Sequence, residues 1–436
     1  MNIEILSAIV LFSSFAILLV NGVPVAYSIG ISTSLVLIMN IDFIPSVTTT
    51  SQRMTTGVDN FTLLAIPFFI LAGDIMNTGG VARRLINFAK SLIGSLPGGL
   101  AYVNVLSAML FGSISGSAIA TASAIGSTLT DKMENEGYPR EFSAAINISS
   151  STTGLLIPPS NVLIVFALAS GGMASVAALF VAGYVPGILV GLSIMIVIYL
   201  YVKRNGFSED KRVKFKNLFN DFRRAFLSLT LLFIVVGGIV AGIFTATEAA
   251  AIAVIYSAIL GFCNKELSIK DFKLILLRST KTTAVVMFLI ATSMAMSWLF
   301  SFQGIPQILN SLLVDSVSNP ILVFLFINII LLVVGTFIDM TPAVLIFTPI
   351  FLPVVTELGM HPVQFGIVLV LNLCIGVCTP PVGTLLFVGS GVAKVSVMKV
   401  MRPLIIFLAA MTVILILITF LPEISLWLPR FFGLID

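Results

Sequence analysis

Pro380 and Pro381 stand side by side in an apolar stretch otherwise long enough to cross a bilayer. That pair constrains the chain more than any other feature. Two prolines remove two backbone donors, so a helix running through Gly376-Val377-Cys378-Thr379-Pro380-Pro381 must break there. Backbone groups freed inside a bilayer persist only where protein or a polar cavity satisfies them. Just upstream, two apolar arms flank the polar knot Gly335-Thr336-Phe337-Ile338-Asp339-Met340-Thr341-Pro342. An arm of about 15 residues is ~22 Å long, short of a hydrocarbon core of ~30 Å. The pattern predicts a re-entrant hairpin over 320–356, then a broken helix over 363–393. A hairpin tip beside a broken helix is how a mid-membrane ion and solute site is built.

The same arrangement occurs earlier in the chain. A hairpin over 98–131 turns at Gly112-Ser113-Ile114-Ser115-Gly116-Ser117, and a long segment over 141–171 breaks at Thr152-Thr153-Gly154-Leu155-Leu156-Ile157-Pro158-Pro159-Ser160. A shift of 222 residues brings Gly137 onto Gly359, Gly154 onto Gly376 and Pro158-Pro159 onto Pro380-Pro381. The shared register inside matching hydropathy predicts an internal repeat. Two unrelated helices that each carry a double proline are the competing reading.

Of the 436 residues 58% are hydrophobic and 10% charged. Soluble domains carry roughly a quarter charged residues, so the chain is an all-α polytopic membrane protein. The net charge of +4 is no nucleic-acid signature, because the basic residues sit in inter-helix loops. No Lys or Arg precedes the apolar run of Met1 to Val20. It therefore reads as a retained helix, not a signal peptide. Cys263, Cys374 and Cys378 fall in apolar segments, which argues against a disulfide framework or a metal site.

Spans are expected over 4–20, 25–40, 61–79, 141–171 (broken), 175–202, 225–243, 246–263, 282–302, 363–393 (broken) and 403–421. The basic loop 203–224 is placed in the cytoplasm by the rule that Lys and Arg stay inside. Walking outward from it puts all but Arg53 and Arg430 of the 23 basic residues on that side. The first hairpin then enters from the cytoplasm and the second from outside, making the halves inverted repeats. The expected organisation is scaffold helices over 1–60, a first transport block over 61–172, scaffold over 173–263, a second transport block over 264–394, and a C-terminal scaffold helix and interfacial tail over 395–436. Stretches 80–95, 267–280 and 422–434 read as interfacial helices, either joining arms or ordinary anchors.

Three acidic residues lie in or beside membrane segments: Asp74, Glu248 and Asp339. Intramembrane carboxylates are functional by default. Asp339 is the strongest candidate, with a helix N-cap as its plain alternative. Glu248, in Thr245-Ala246-Thr247-Glu248, reads as the third residue of a capping box. Asp74 is expected to pair with Arg83 or Arg84. Ser113, Ser115, Ser117, Thr121 and Ser123 crowd the first knot, and Asn147 and Ser149 to Thr153 the first break. Small hydroxyls and unwound carbonyls suit a hard cation, though they also serve tight helix packing. No Lys or Arg is expected at mid-depth, so an anionic solute would meet helix N-termini and hydroxyls. His361 lies in an outside turn and is a poor proton relay, which favours sodium over protons.

The second knot, the TPPVG of Thr379–Gly383, the IPPS of Ile157–Ser160, the SGSA of Ser115–Ala118 and the TATEAAA of Thr245–Ala251 together resemble the large membrane subunit of TRAP transporters, the tripartite ATP-independent periplasmic transporters. The resemblance covers essentially the whole chain. It implies a non-enzymatic protein of the bacterial inner membrane, importing an organic-acid anion with sodium as coupling ion by an elevator mechanism. It also implies a small four-helix membrane subunit, expected as a separate chain, and a periplasmic solute-binding protein. Sodium-site roles fall on Gly112, Ser113, Ser115, Gly116, Thr153 and Gly154 in the first half. In the second they fall on Gly335, Thr336, Asp339, Met340, Gly376, Cys378 and Thr379. Candidate solute contacts are Ser150, Ser151, Thr152, Ser160, Thr341 and Thr384. The chain looks similar to the sialic-acid branch, but dicarboxylate members share these motifs. The alternative is a stand-alone sodium–dicarboxylate carrier with the same hairpins and no partners.

Overall fold

The computed structural model describes residues 3–205, 215–305, 307 and 319–436. Lys211, Arg212 and Lys214 of the expected basic loop lie outside that part, as does most of the connection 303–319. Every regular element among the described residues is helical. Of these described helices, eight are long and apolar enough to cross a membrane, nine counting one bent pair.

Two segments form the centre. Residues Phe142 to Ser160 and Val363 to Cys378 are buried without interruption. Each belongs to a broken helix. The first runs Arg140–Ser151, continues through the short turn Thr153–Leu156, bends by 49° and resumes as Asn161–Ala169. The second runs Pro362–Gly376 and resumes as Thr384–Ala393. Both breaks fall at the double prolines, and both Pro–Pro bonds are cis. The two segments touch each other: the Cys374 thiol lies 3.7 Å from the Thr152 carbonyl oxygen, its counterpart under the 222-residue shift.

The hairpins flank this centre. Their arms are Gly99–Ser115 with Ala118–Asn135, and Pro320–Phe337 with Met340–Glu357. At 17 or 18 residues each, the arms are longer than the expected 15. The knots hold only two non-helical residues, so helix runs almost to the tip. The open end of the first hairpin meets the basic side of the molecule. There Arg140 donates to Glu134 at 2.6 Å, to Asp131 at 2.8 Å and to the Ala393 carbonyl at 3.1 Å. Along the second hairpin, Asn328 in the middle of the arm Pro320–Phe337 donates to Thr419 at 3.2 Å, near the end of helix Val397–Phe420.

Three expectations change. Residues Ile269–Phe302 form one helix of 34 residues, not an interfacial helix followed by a span over 282–302. No proline or glycine interrupts it, and a reciprocal Ser268–Asp271 capping box fixes its start. A helix over Phe43–Val58, absent from the expected spans, packs against it. Its sequence, FIPSVTTTSQRMTTGV, has no apolar run, and the Arg53 guanidinium sits 4.8 Å from the Trp298 ring centre. The helix expected over 225–243 begins ten residues earlier, at Phe215. Helices Val81–Ile93 and Glu423–Phe431 occupy two of the stretches read as interfacial. Glu248 closes the capping box with Thr245, accepting its backbone N–H at 2.8 Å.

Candidate functional site

Glycine decides how closely each hairpin approaches each break. A Cβ built on Gly154 would lie 2.3 Å from the Gly112 Cα, and one on Gly376 would lie 2.5 Å from the Gly335 Cα. Backbone therefore rests on backbone at both places, and only hydrogen fits between. Each contact gathers main-chain carbonyls and hydroxyls. In the first half Thr153 donates to the Ser150 carbonyl at 2.6 Å and Ser113 to that of Leu110 at 2.9 Å. In the second, Thr336 donates to the Val333 carbonyl at 2.7 Å and Thr379 to that of Ile375 at 2.8 Å. The Thr336 carbonyl accepts from the N–H groups of Val382 and Gly383. A hydroxyl that donates to its own helix keeps its oxygen lone pairs, so each can still face a cation. Cys378 is fully buried, its thiol 4.0 Å from the Ile148 carbonyl.

In front of these contacts lies a cavity of about 410 Å³. The first tip contributes Ser115, Gly116 and Ser117, and the second Asp339, Met340 and Thr341. Asn161 and Thr384, each opening the helix beyond a break, also line it. The opposite wall is helix Ala65–Thr78, with Gly73, Asp74 and Asn77, and the long helix Ile269–Phe302, with Arg278, Thr282 and Val286. A Cβ on Gly73 would lie 2.7 Å from the Ser115 carbonyl oxygen, so this wall helix seats the first tip directly.

The two tips differ chemically at one position. Ser117 caps its helix, accepting the Ala120 N–H at 3.3 Å. Asp339 holds the same N-cap position, but its carboxylate makes no bond of the kind Ser117 makes to the first turn; the backbone hydrogen bond it takes is from its neighbour Met340. Thr384 donates to its Oδ1 at 3.4 Å, and the side chain is open to the cavity.

The sequence candidates thus divide. Ser115, Gly116, Asp339, Met340, Thr341 and Thr384 meet at the cavity. Gly112, Ser113, Thr153, Gly154, Gly335, Thr336, Gly376, Cys378 and Thr379 sit behind it, at the two tip-to-break contacts. Ser150, Ser151, Thr152 and Ser160 are fully buried away from it. Ser150 donates to Asn104 at 3.3 Å, Ser151 to the Asn147 carbonyl at 2.6 Å, and Thr152 to that of Ser149 at 2.7 Å. Ser160 bridges the first break, donating to the Leu155 carbonyl at 2.6 Å.

One cavity residue went unread and two were read differently. Asn161 follows the first double proline directly, and its Oδ1 is buried with no hydrogen-bond partner among the described residues. Asp74 does not pair with Arg83 or Arg84; it accepts from Ser279 at 2.6 Å, while Arg84 pairs with Glu266. Arg278 lines the cavity as well. The amphipathic pattern of 267–280 assigned it to the membrane surface, whereas the uninterrupted helix carries it to the cavity.

Residues 12–424 match the family described as "Tripartite ATP-independent periplasmic transporter, DctM component". The chain belongs to this family. Among its relatives, the uncharacterized protein YgiK of Salmonella typhimurium is 50% identical over 98% of both chains. The C4-dicarboxylate TRAP transporter large permease protein DctM of Pseudomonas aeruginosa is 40% identical over 93% of this chain and 95% of its own. The sialic acid TRAP transporter large permease protein SiaM of Vibrio cholerae is 35% identical over 95% and 96%. In fold, the chain resembles the Alcanivorax borkumensis YdaH transporter, with a TM-score of 0.66 over 87% of this chain and 88% of that one, at 13% identity. As a TRAP large permease subunit the protein is a multi-pass inner-membrane component of an organic-acid transporter, not an enzyme.

Proposed function

We propose that this TRAP subunit imports an organic-acid anion together with sodium, by moving the two hairpins and two broken helices as one block against the remaining helices. The observation that carries this reading is Asp339. It stands at a helix start without capping it, open to the cavity and next to the contact where Gly335 meets Gly376. A carboxylate at mid-membrane is costly unless a cation joins it. The surrounding donors are hydroxyls and carbonyls, a set that suits a hard cation. Thr336, Thr379 and the carbonyls at the second break would hold one sodium beside Asp339. The Gly112–Gly154 contact, with Ser113 and Thr153, would hold a second without a formal charge. Sodium would neutralise Asp339 and lower the cost of moving the block through the bilayer.

Support for opposed halves comes from the contact of Thr152 with its counterpart Cys374 at the centre, and from the hairpins meeting helix Val397–Phe420 differently: the base of the first lies beside Ala393, just before that helix, and the middle of an arm of the second meets Thr419 near its end. Relatives named for C4-dicarboxylate and for sialic acid set the solute class. Sialic acid is one candidate within it. The small membrane subunit would widen the scaffold, and a periplasmic binding protein would deliver the solute.

Reconstitution tests this. Proteoliposomes holding the chain and its small subunit, supplied with the binding protein, should accumulate one member of an organic-acid panel under an inward sodium gradient. Equal accumulation in potassium would refute the coupling. Full-rate uptake by the chain alone would favour a stand-alone carrier.

A further inference from the structure

Among the described residues Arg278 is the one cationic residue lining the cavity, and no carboxylate pairs with it. The carboxylate on the same wall, Asp74, holds a different partner. Asp74 accepts the Ser279 hydroxyl at 2.6 Å, which also ties the two wall helices together one residue from Arg278. Arg278, Thr282 and Val286 recur every four residues, so they share one helix face, and all three line the cavity. Lys270, Lys273 and Lys281 lie on the same helix and do not line it. Arg278 alone of the four basic residues on this helix faces the cavity.

We propose that Arg278 is a solute contact: its guanidinium binds the carboxylate of the transported organic acid on the wall facing the two tips. A guanidinium offers paired N–H donors that match a carboxylate. The Asp74–Ser279 bond positions it, because it fixes the wall beside Arg278. The sodium roles stay with the tips, so charge on the anion and charge on the ion are met by different elements. This rests on the cavity being the solute path.

Two measurements test it on the full chain in its assembled complex. The first needs no known solute. In a Cys263→Ser background, where Cys374 and Cys378 are buried, Thr282→Cys is reacted with an anionic and a cationic methanethiosulfonate. With Arg278 present the anionic reagent should be favoured. Arg278→Gln should lower the anionic-to-cationic rate ratio about tenfold, as loss of a unit charge one helical turn away implies. Arg278→Lys should keep the ratio. Lys270→Gln, which removes a charge outside the cavity, should leave it unchanged.

The second is uptake of whichever organic acid the unmodified complex accumulates. Arg278→Gln should raise the half-saturating solute concentration about tenfold or more and leave the half-saturating sodium concentration unchanged. Arg278→Lys should recover part of the loss. An unchanged reagent ratio, or an unchanged solute half-saturation, overturns the assignment. Failure of the unmodified complex to accumulate any organic acid would instead refute the transport reading, with the reagent ratio still reporting on Arg278.

Discussion

Gly154→Ala adds a single methyl group where there is no room for one. The new Cβ would lie 2.3 Å from the Gly112 Cα and 2.4 Å from its carbonyl carbon, whereas ordinary contact begins at 3.4 Å. Both atoms are backbone, so no side chain can swing aside. The first hairpin must move off the break by about 1 Å, since a close-packed interior has no slack to absorb the methyl. Overpacking costs ~1–3 kcal/mol, and the backbone origin of the clash puts this case at the upper end. Function should suffer more than stability. Ligand groups need placing within ~0.5 Å, and a 1 Å displacement can cost about a hundredfold in rate. Sodium-driven uptake in proteoliposomes should therefore fall about a hundredfold, while size-exclusion chromatography still shows folded protein. Gly376→Ala should behave alike, its Cβ meeting Gly335 at 2.5 Å. Gly237→Ala is the control: its Cβ meets nothing within 4 Å, and alanine favours helix by ~1 kcal/mol. Uptake by Gly154→Ala equal to that by Gly237→Ala would refute the tip-to-break contact as a working part.

Arg140→Ala removes three bonds from the start of the first broken helix, two to the first hairpin and one to the end of the second broken helix. Allowing for solvent screening, the loss should be ~1–2 kcal/mol, read as a lower thermal midpoint. Thr245→Ala deletes the capping-box hydroxyl of helix Ala246–Cys263 and should cost ~1 kcal/mol by the same assay, with the sodium dependence of uptake unchanged. His361 sits below its usual pKa, because burial disfavours its charged form and Arg430 adds repulsion, partly offset by Asp436. Its neutral Nδ1 accepts the Val363 N–H at 3.1 Å at the start of the second broken helix. That stability is present above the unfolded value of 6.5 and is lost as pH falls through the lowered folded value. His361→Asn keeps an acceptor that does not titrate, so its thermal midpoint should drop less than that of the unmodified protein between pH 7 and pH 5. Equal drops would remove His361 from the pH response.

Hairpins and breaks were legible because their signals are local. Pro158-Pro159 and Pro380-Pro381 must break a helix wherever the rest of the chain goes, and a polar knot between apolar arms must turn. The arms outran the estimate because Gly112 and Gly335 tolerate helix and only two residues are needed to reverse direction. Helix Phe43–Val58 was illegible for the opposite reason. Its threonines and serines bond their own carbonyls, as Thr50 does to Ser46 at 2.9 Å, and so mask the polarity by which a sequence scan rejects a membrane-facing helix. Arg278 was hidden by composition. Four basic residues between 270 and 281 look like a surface arm, and only the three-dimensional rotation of the helix separates Arg278 from the three lysines. The buried hydroxyls Ser150, Ser151 and Thr152 read as a cluster in sequence, yet consecutive residues on a helix point in different directions.

The account turns on Asp339 as the charged partner of a sodium ion. The most direct measurement is the initial rate of solute uptake against sodium concentration, in Asp339→Asn and in the unmodified complex. Asparagine keeps the shape and caps a helix nearly as well as aspartate. If Asp339 holds sodium, the half-saturating sodium concentration should rise by about tenfold, since a lost charge pair at close range is worth ~1.4 kcal/mol or more even near a wet cavity. Maximal uptake should fall as well, with the complex still folded. An Asp339→Asn complex with the same sodium half-saturation and the same rate would contradict the account and leave the carboxylate with no part in coupling.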